Sequence, residues 1–125
     1  MLAALLRPEN KYHAILRGEE MVGFFCLGLD ARVRGGTYDE SSLDLGMGLR
    51  PDLTGRGQGQ SYFDKLLAYV EEQRPGRALR ATIVAWNRRA IRLCRRAGFR
   101  VLAHFTSQSE VQQEYVVLLR PAQNA

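Results

Sequence analysis

The sequence predicts an α/β (α+β) domain. Short apolar segments bounded by turn residues read as strands, and two segments of helical periodicity are interleaved with them. A loop carrying Gly55, Gly57 and Gly59 joins an alternating apolar segment to the first of those helices. At 125 residues and 46% hydrophobic composition, the chain reads as a single domain, residues 1–125, large enough for one real core.

The elements follow in order. Residues 1–7 read as the end of a helix, broken by Pro8, Glu9 and Asn10. Tyr12–Leu16 and Met21–Leu29 form a hairpin about the turn Arg17-Gly18-Glu19-Glu20. Val22–Leu27 is apolar at nearly every position, which predicts a central strand buried on both faces. Residues 30–41 are polar and read as a surface loop. In Leu43-Asp44-Leu45-Gly46-Met47-Gly48-Leu49 the odd positions are large and apolar, so one face of a strand packs. The even face is nearly bare. Something could lie against it, or Gly46 and Gly48 mark a bulge or bend.

Residues 60–73 carry apolar groups at helical spacing, and Arg74-Pro75-Gly76 stops the helix. Leu79–Trp86 is the next strand. A second helix over 88–97 follows, with Gly98 as its expected C′ residue. At about 100° per residue, Arg88, Arg89, Arg92, Arg95 and Arg96 fall within an arc of roughly 120°, opposite Ala90, Ile91, Leu93, Cys94 and Ala97. Arg100–His104 and Gln113–Leu119 are two closing strands, and Pro121–Ala125 is a tail.

The net charge is +5 and the pI about 9.7. A basic balance suits an anionic partner: nucleic acid, an acidic surface or a phosphorylated cofactor. Cys26 and Cys94 are far apart and sit among apolar residues, with no metal spacing or disulfide framework, which fits a reducing compartment. The run Leu2–Leu6 is too short for a signal sequence, and no segment reaches membrane-spanning length. The expectation is a soluble, cytoplasmic protein without a metal.

Alternating glycines followed by a helix describe an anion cradle. Glycine brings backbone N–H groups close to a ligand, and the helix start adds unpaired donors and a positive dipole end. The loop is not a P-loop, because Gln60 and Ser61 follow Gly59 where Lys and Ser/Thr would stand. It is not a dinucleotide fingerprint either, since the sixth position from Gly55 is Gln60 and from Gly57 is Tyr62. A plain glycine-rich turn is the simpler alternative.

Two separated blocks decide between these. Thr54-Gly55-Arg56-Gly57-Gln58-Gly59 is followed, after a helix and a strand, by Asn87-Arg88-Arg89-Ala90-Ile91-Arg92-Leu93-Cys94-Arg95-Arg96-Ala97-Gly98-Phe99. In this order they resemble the acetyl-CoA-binding half of the GNAT superfamily of N-acetyltransferases. The resemblance covers residues 12–119 in element order and about 43–99 at motif level. It implies a mixed, mostly antiparallel sheet with splayed central strands and flanking helices. It implies that Gly55, Arg56, Gly57, Gln58, Gly59 and Gln60 hold the CoA pyrophosphate. The pantetheine arm would pair with the first splayed strand at Met47 and Leu49 like an added strand. Asn87 would bond the arm or nearby backbone, or serve as a helix N-cap.

The chain departs from the family pattern in three places. Thr54 stands where Arg or Gln is usual, which a backbone cradle tolerates. Cys94 stands where the family often has a tyrosine that protonates the departing thiolate. It is either a shorter acid or a small core residue. Only about ten residues precede Tyr12, where the family usually has a strand and two helices. The acceptor site is then open, or completed by a second subunit in a homodimer, or the reading frame begins late.

Asp44 lies where the family often places a general base, with Asp39 and Glu40 as weaker candidates and a solvated strand-end carboxylate as the alternative. His13 and His104 read as structural. The arginine face reads as a solvated surface, with Arg88, Arg89 or Arg92 near the CoA 3′-phosphate. Nucleic acid is not the expected partner. The function so implied is transfer of acetyl from acetyl-CoA to an amine by direct attack. A catalytically silent acyl-CoA-binding module is the other reading.

Overall fold

The computed structural model describes residues 12–50 and 58–123. Strands β1 (Tyr12–Arg17) and β2 (Glu20–Leu27) form the expected hairpin, turning through Gly18 at φ 65°. A 3-10 turn, Gly28–Ala31, opens the segment that leads to β3 (Ser42–Leu49). Helix α1 (Gln58–Gln73), β4 (Ala78–Val84), α2 (Arg88–Arg96), β5 (Arg100–Thr106) and β6 (Glu114–Arg120) complete the chain. Trp86, expected within a strand, lies instead in a turn closed by the Asn87 N–H donating to the Val84 carbonyl. The expected helix at residues 1–7 lies outside the described residues.

The six strands form one sheet in the order β1-β2-β3-β4-β6-β5. Every pairing is antiparallel except β3–β4, which is parallel and connected through α1. The sheet is therefore mixed and mostly antiparallel.

One face of the sheet carries both helices. The odd-numbered Leu43 and Leu45 join Phe25, Leu79, Ala81 and Leu118 beneath Tyr62, Phe63, Leu66, Leu67 and Val70 of α1 and Cys94 of α2. Ring contacts tie the layers: Phe25 meets Tyr69 at 5.8 Å and Phe63 meets Phe99 at 6.0 Å. Full burial of a side chain such as Leu66 contributes about 1.5–3 kcal/mol. Helix α2 ends in a Schellman arrangement. Gly98, at φ 97°, donates to the Arg95 carbonyl and Phe99 donates to that of Cys94.

The opposite face is crossed by residues 28–41, and the sequence reading of these as a plain surface loop needs correction. They form a strap fastened across the strands. Tyr38 Oη accepts from the Val33 N–H at 3.0 Å and shares a hydrogen bond with Thr82 of β4 at 2.9 Å. The Gln108 N–H, beyond β5, donates to the Arg34 carbonyl at 2.9 Å. The fully buried reading of β2 is corrected too. The strap covers its Cys26 end, but Phe24 remains 43% exposed.

Beneath the strap lies a charge cluster. Asp44 of β3 and Arg80 of β4 are register partners and both are buried. Arg80 donates through Nε and Nη2 to the two Asp44 oxygens at 2.7 and 2.9 Å, and Arg32 of the strap donates through Nε at 2.8 Å. The Tyr38 ring sits 5.4 Å from the Arg32 guanidinium and 5.1 Å from that of Arg80. Carboxylate hydrogen bonding raises the pKa of both arginines, so they stay charged at any working pH.

Two predictions follow from these contacts. Asp44→Asn removes the one buried counter-charge of two guanidiniums and leaves them only the exposed carboxylates of Asp39 and Glu40. The expected loss is about 3–5 kcal/mol in denaturant unfolding, because an uncompensated buried charge is costly. A loss below about 1 kcal/mol would show that the cluster does not hold the sheet. The second concerns His13, which stacks on Phe25 at 4.6 Å and whose pKa is lowered by burial. The unfolded chain then binds this proton more readily than the folded one. Its contribution is present above pH 6.5 and is lost as pH falls through the folded pKa. His13→Gln is expected to flatten the thermal-melt pH dependence in that window.

Candidate active site

The site is built by the way β3 and β4 part. Their pairing runs only from Ser42–Ala78 to Leu45–Ala81. Beyond it, β3 stays with β2 as far as Leu49, while β4 stays with β6 as far as Val84. The sheet thus divides into two three-stranded halves with an open slot between them. The expected splay of the Leu43–Leu49 and Leu79–Trp86 strands is present.

The backbone of β3 supplies the slot with hydrogen-bonding groups. The Arg50 N–H donates to Val22 of the hairpin at 2.8 Å. Main-chain groups point alternately to the two sides of a strand. The register from Leu49 back to Leu45 is unbroken, so the N–H and C=O of Met47 and Leu49 point away from β2 and into the slot. These are the two residues expected to pair with a pantetheine arm.

Of the two readings of Gly46 and Gly48, the packed face holds and the bulge does not. No bulge interrupts the ladder at either, and their even face is not left open for a ligand. The Phe24 ring lies on Gly48, where a Cβ would come within 2.7 Å of it. Cys26 Sγ and Ala31 of the strap approach Gly46, at 3.0 and 3.5 Å from a Cβ built there. The bare face is filled by the chain itself. Burial and the nearby Asp30 charge push the Cys26 thiol pKa up.

The anion cradle is described only in part. Thr54, Gly55, Arg56 and Gly57 lie outside the described residues. Gln58, Gly59 and Gln60 form the first turn of α1, where backbone N–H groups lack intrahelical partners. The Gln60 side chain donates to Asp64 at 3.0 Å, while its buried Oε1 accepts from no described group. At the end of β4, Asn87 Oδ1 accepts from the Ala90 N–H at 3.2 Å and caps α2. Its amide nitrogen is not used by that cap.

The expected catalytic side chains are not presented to the slot. Asp44 is 2% exposed and lies in the paired part of the strands, with both oxygens held by guanidiniums. It is neither a solvated carboxylate nor a free proton acceptor. Asp39 and Glu40 join the same cluster, through Arg80 at 3.2 Å and Arg32 at 3.1 Å. Hydrogen bonds from Ser41, then from Arg80, hold the Asp39 carboxyl below its usual range. Cys94 is 5% exposed in the core, and burial pushes its thiol up to about 12. Among the described residues, no group of three or more His, Cys, Asp or Glu could hold a metal.

Sequence reasoning missed Arg32, Tyr38 and Arg80. A signal existed for Arg80. It is a lone charge in an apolar strand, one residue after Leu79, just as Asp44 follows Leu43.

The slot and the first turn of α1 present main-chain groups without a partner among the described strands. Comparison with known proteins agrees with that geometry. A family model described as the acetyltransferase (GNAT) family matches residues 1–99. No curated protein matches the chain. Solved structures show the same fold at low identity. An inferred phosphinothricin N-acetyltransferase has a TM-score of 0.70 and 13% identity, over 95% of this chain and 76% of that one. A ribosomal-protein-alanine N-acetyltransferase from Brucella melitensis has 0.66 and 20%, over 88% and 67%. An inferred acetyltransferase from Salmonella typhimurium, solved with its cofactor acetyl-CoA, has 0.67 and 19%, over 91% and 65%. With its slotted sheet and its match over residues 1–99, the chain belongs to the GNAT acetyltransferase family.

Proposed function

We propose that the protein binds acetyl-CoA in the β3–β4 slot and transfers the acetyl group to an amine. The observation that supports this most directly is the pair of main-chain groups on Met47 and Leu49 facing a slot that no strand fills among the described residues. In this reading the pantetheine amides complete the ladder of β3. The cradle of Gly55, Arg56, Gly57, Gln58, Gly59 and Gln60 takes the pyrophosphate, and the spare Asn87 amide meets the arm. When bound, acetyl-CoA supplies an activated thioester carbonyl.

The chain's own part is placement and electrostatics. A main-chain N–H near Leu49 faces the position where negative charge develops on the carbonyl oxygen. The C–N bond forms, the C–S bond breaks, and the proton shed by the nitrogen passes through solvent to the departing thiolate; the amine must arrive unprotonated although its ordinary pKa is near 10.4. Asp44 has no proton-transfer role in this reading. It fixes the strands whose ends form the slot. Cys94 packs the core. A thiol with a pKa near 12 would be a poor proton donor to a thiolate whose unperturbed value is about 8.5.

The burial of Cys94 also favours a second reading, a silent acyl-CoA-binding module. Calorimetry with acetyl-CoA followed by thiol release on a panel of amines separates the two. Binding with turnover on at least one amine is expected. Binding with no turnover would leave the module, and absence of binding would end both readings.

Three variants sharpen the test. Leu49→Pro removes an N–H that β2 does not use, whereas Leu49→Ala removes only the side chain. Acetyl-CoA affinity should fall about tenfold for the first relative to the second, the worth of one good hydrogen bond. Equal affinities would show that the Leu49 N–H makes no contact. Cys94→Ala should keep kcat within about threefold and lower the melting temperature. A kcat loss of about 100-fold or more would restore the thiol as an acid.

A further inference from the structure

On the helix-bearing side of the sheet, α2 presents its five arginines to solvent. Arg88, Arg89, Arg92, Arg95 and Arg96 are all exposed, along a helix of about 13 Å. The ordinary account of such a face is that neighbouring carboxylates balance it. Here they do not. Arg88, Arg92, Arg95 and Arg96 form no ion pair with any described acidic residue. Elsewhere in the described chain, arginines commonly find carboxylates: Arg17 with Glu20, Arg32 and Arg80 with Asp44, Arg120 with Glu71.

The arrangement has a cost. Arg88 and Arg92, and Arg92 and Arg96, are like charges four residues apart, and each such pair is unfavourable on a helix surface. Arg88 and Arg89 also stand in the first turn, at the positive end of the helix dipole. Four of the guanidiniums, those of Arg88, Arg92, Arg95 and Arg96, line one shallow depression together with Ile91. A guanidinium makes a bidentate fit to phosphate, and an array of them fits a repeating one.

We infer that the α2 face is a docking surface for the phosphate backbone of a nucleic acid. The arginine face carries no Asn, Gln or aromatic side chain that could read a base edge or stack on one, so binding is independent of sequence. Arg95 and Arg96 stand at the helix end away from Asn87 and the slot, which separates this surface from a cofactor phosphate. The inference does not depend on transfer activity.

The test is fluorescence anisotropy of the full chain with a labelled 30-base-pair duplex of arbitrary sequence, in saturating acetyl-CoA. Neutralising four phosphates through Arg88, Arg92, Arg95 and Arg96 gives a log–log salt slope of about −3.6, roughly 150-fold weaker binding between 50 and 200 mM salt. Arg95→Gln with Arg96→Gln should reduce the slope to about −1.8, roughly 12-fold over the same range. The double variant's circular dichroism and acetyl-CoA affinity should be unchanged. Three results would overturn the inference: no duplex binding at 50 mM salt, the same slope in the variant, or competition by poly-glutamate as effective as by unlabelled duplex. The last would point to an acidic protein instead.

Discussion

The rest of the structure depends on the register pair Asp44–Arg80. Parallel strands are joined only by a distant crossover, so nothing local to the turn fixes their alignment. A buried two-point ion pair does so here, with Arg32 tying the strap to the same carboxylate. Its place along the strands matters as much as its strength. It sits one residue before the last paired position, Leu45–Ala81, and beyond that each strand follows its outer neighbour. The pair therefore holds the two halves of the sheet together at the edge of the opening. Charge serves as a rivet at a point where continued pairing would close the slot.

The period of two in Leu43–Leu49, the helical spacing on α1 and the caps at Asn87 and Gly98 were all legible in the chain. Each is set by residues within a few positions of one another. The splay was legible only because two motifs in a fixed order implied a known fold. What could not be read is what depends on register. That Asp44 faces Arg80 follows from the offset of two strands separated by a helix. The strap over residues 28–41 has no periodicity at all, since a Tyr hydroxyl and a guanidinium fasten it. What lies against the bare glycine face could not be named, because Phe24 belongs to a strand whose alignment with β3 no local pattern reveals.

Membership of the family and the job of individual side chains are separate matters in this chain. In the proposed reading, the parts that would hold an acyl-CoA are largely main chain: a strand edge, a glycine loop and a helix start. Main-chain parts survive side-chain replacement. Proton transfer, by contrast, needs a particular group at a particular depth. The two side chains that sequence position offered for it, Asp44 and Cys94, are both sequestered, one by charge and one by packing.

Phe24 and Gly48 occupy a single volume, one supplying the ring and the other the absence of a side chain. Neither can change size alone without strain or a void, so their substitutions should be strongly non-additive. The floor of the sheet beside the slot is thus a two-position lock. An enlarged residue at 48 demands a diminished one at 24, and the exchange would move bulk from one strand to the next without altering the total. Chains that share this fold could reshape the ground beside the slot by that exchange alone, leaving the edge that faces the cofactor untouched.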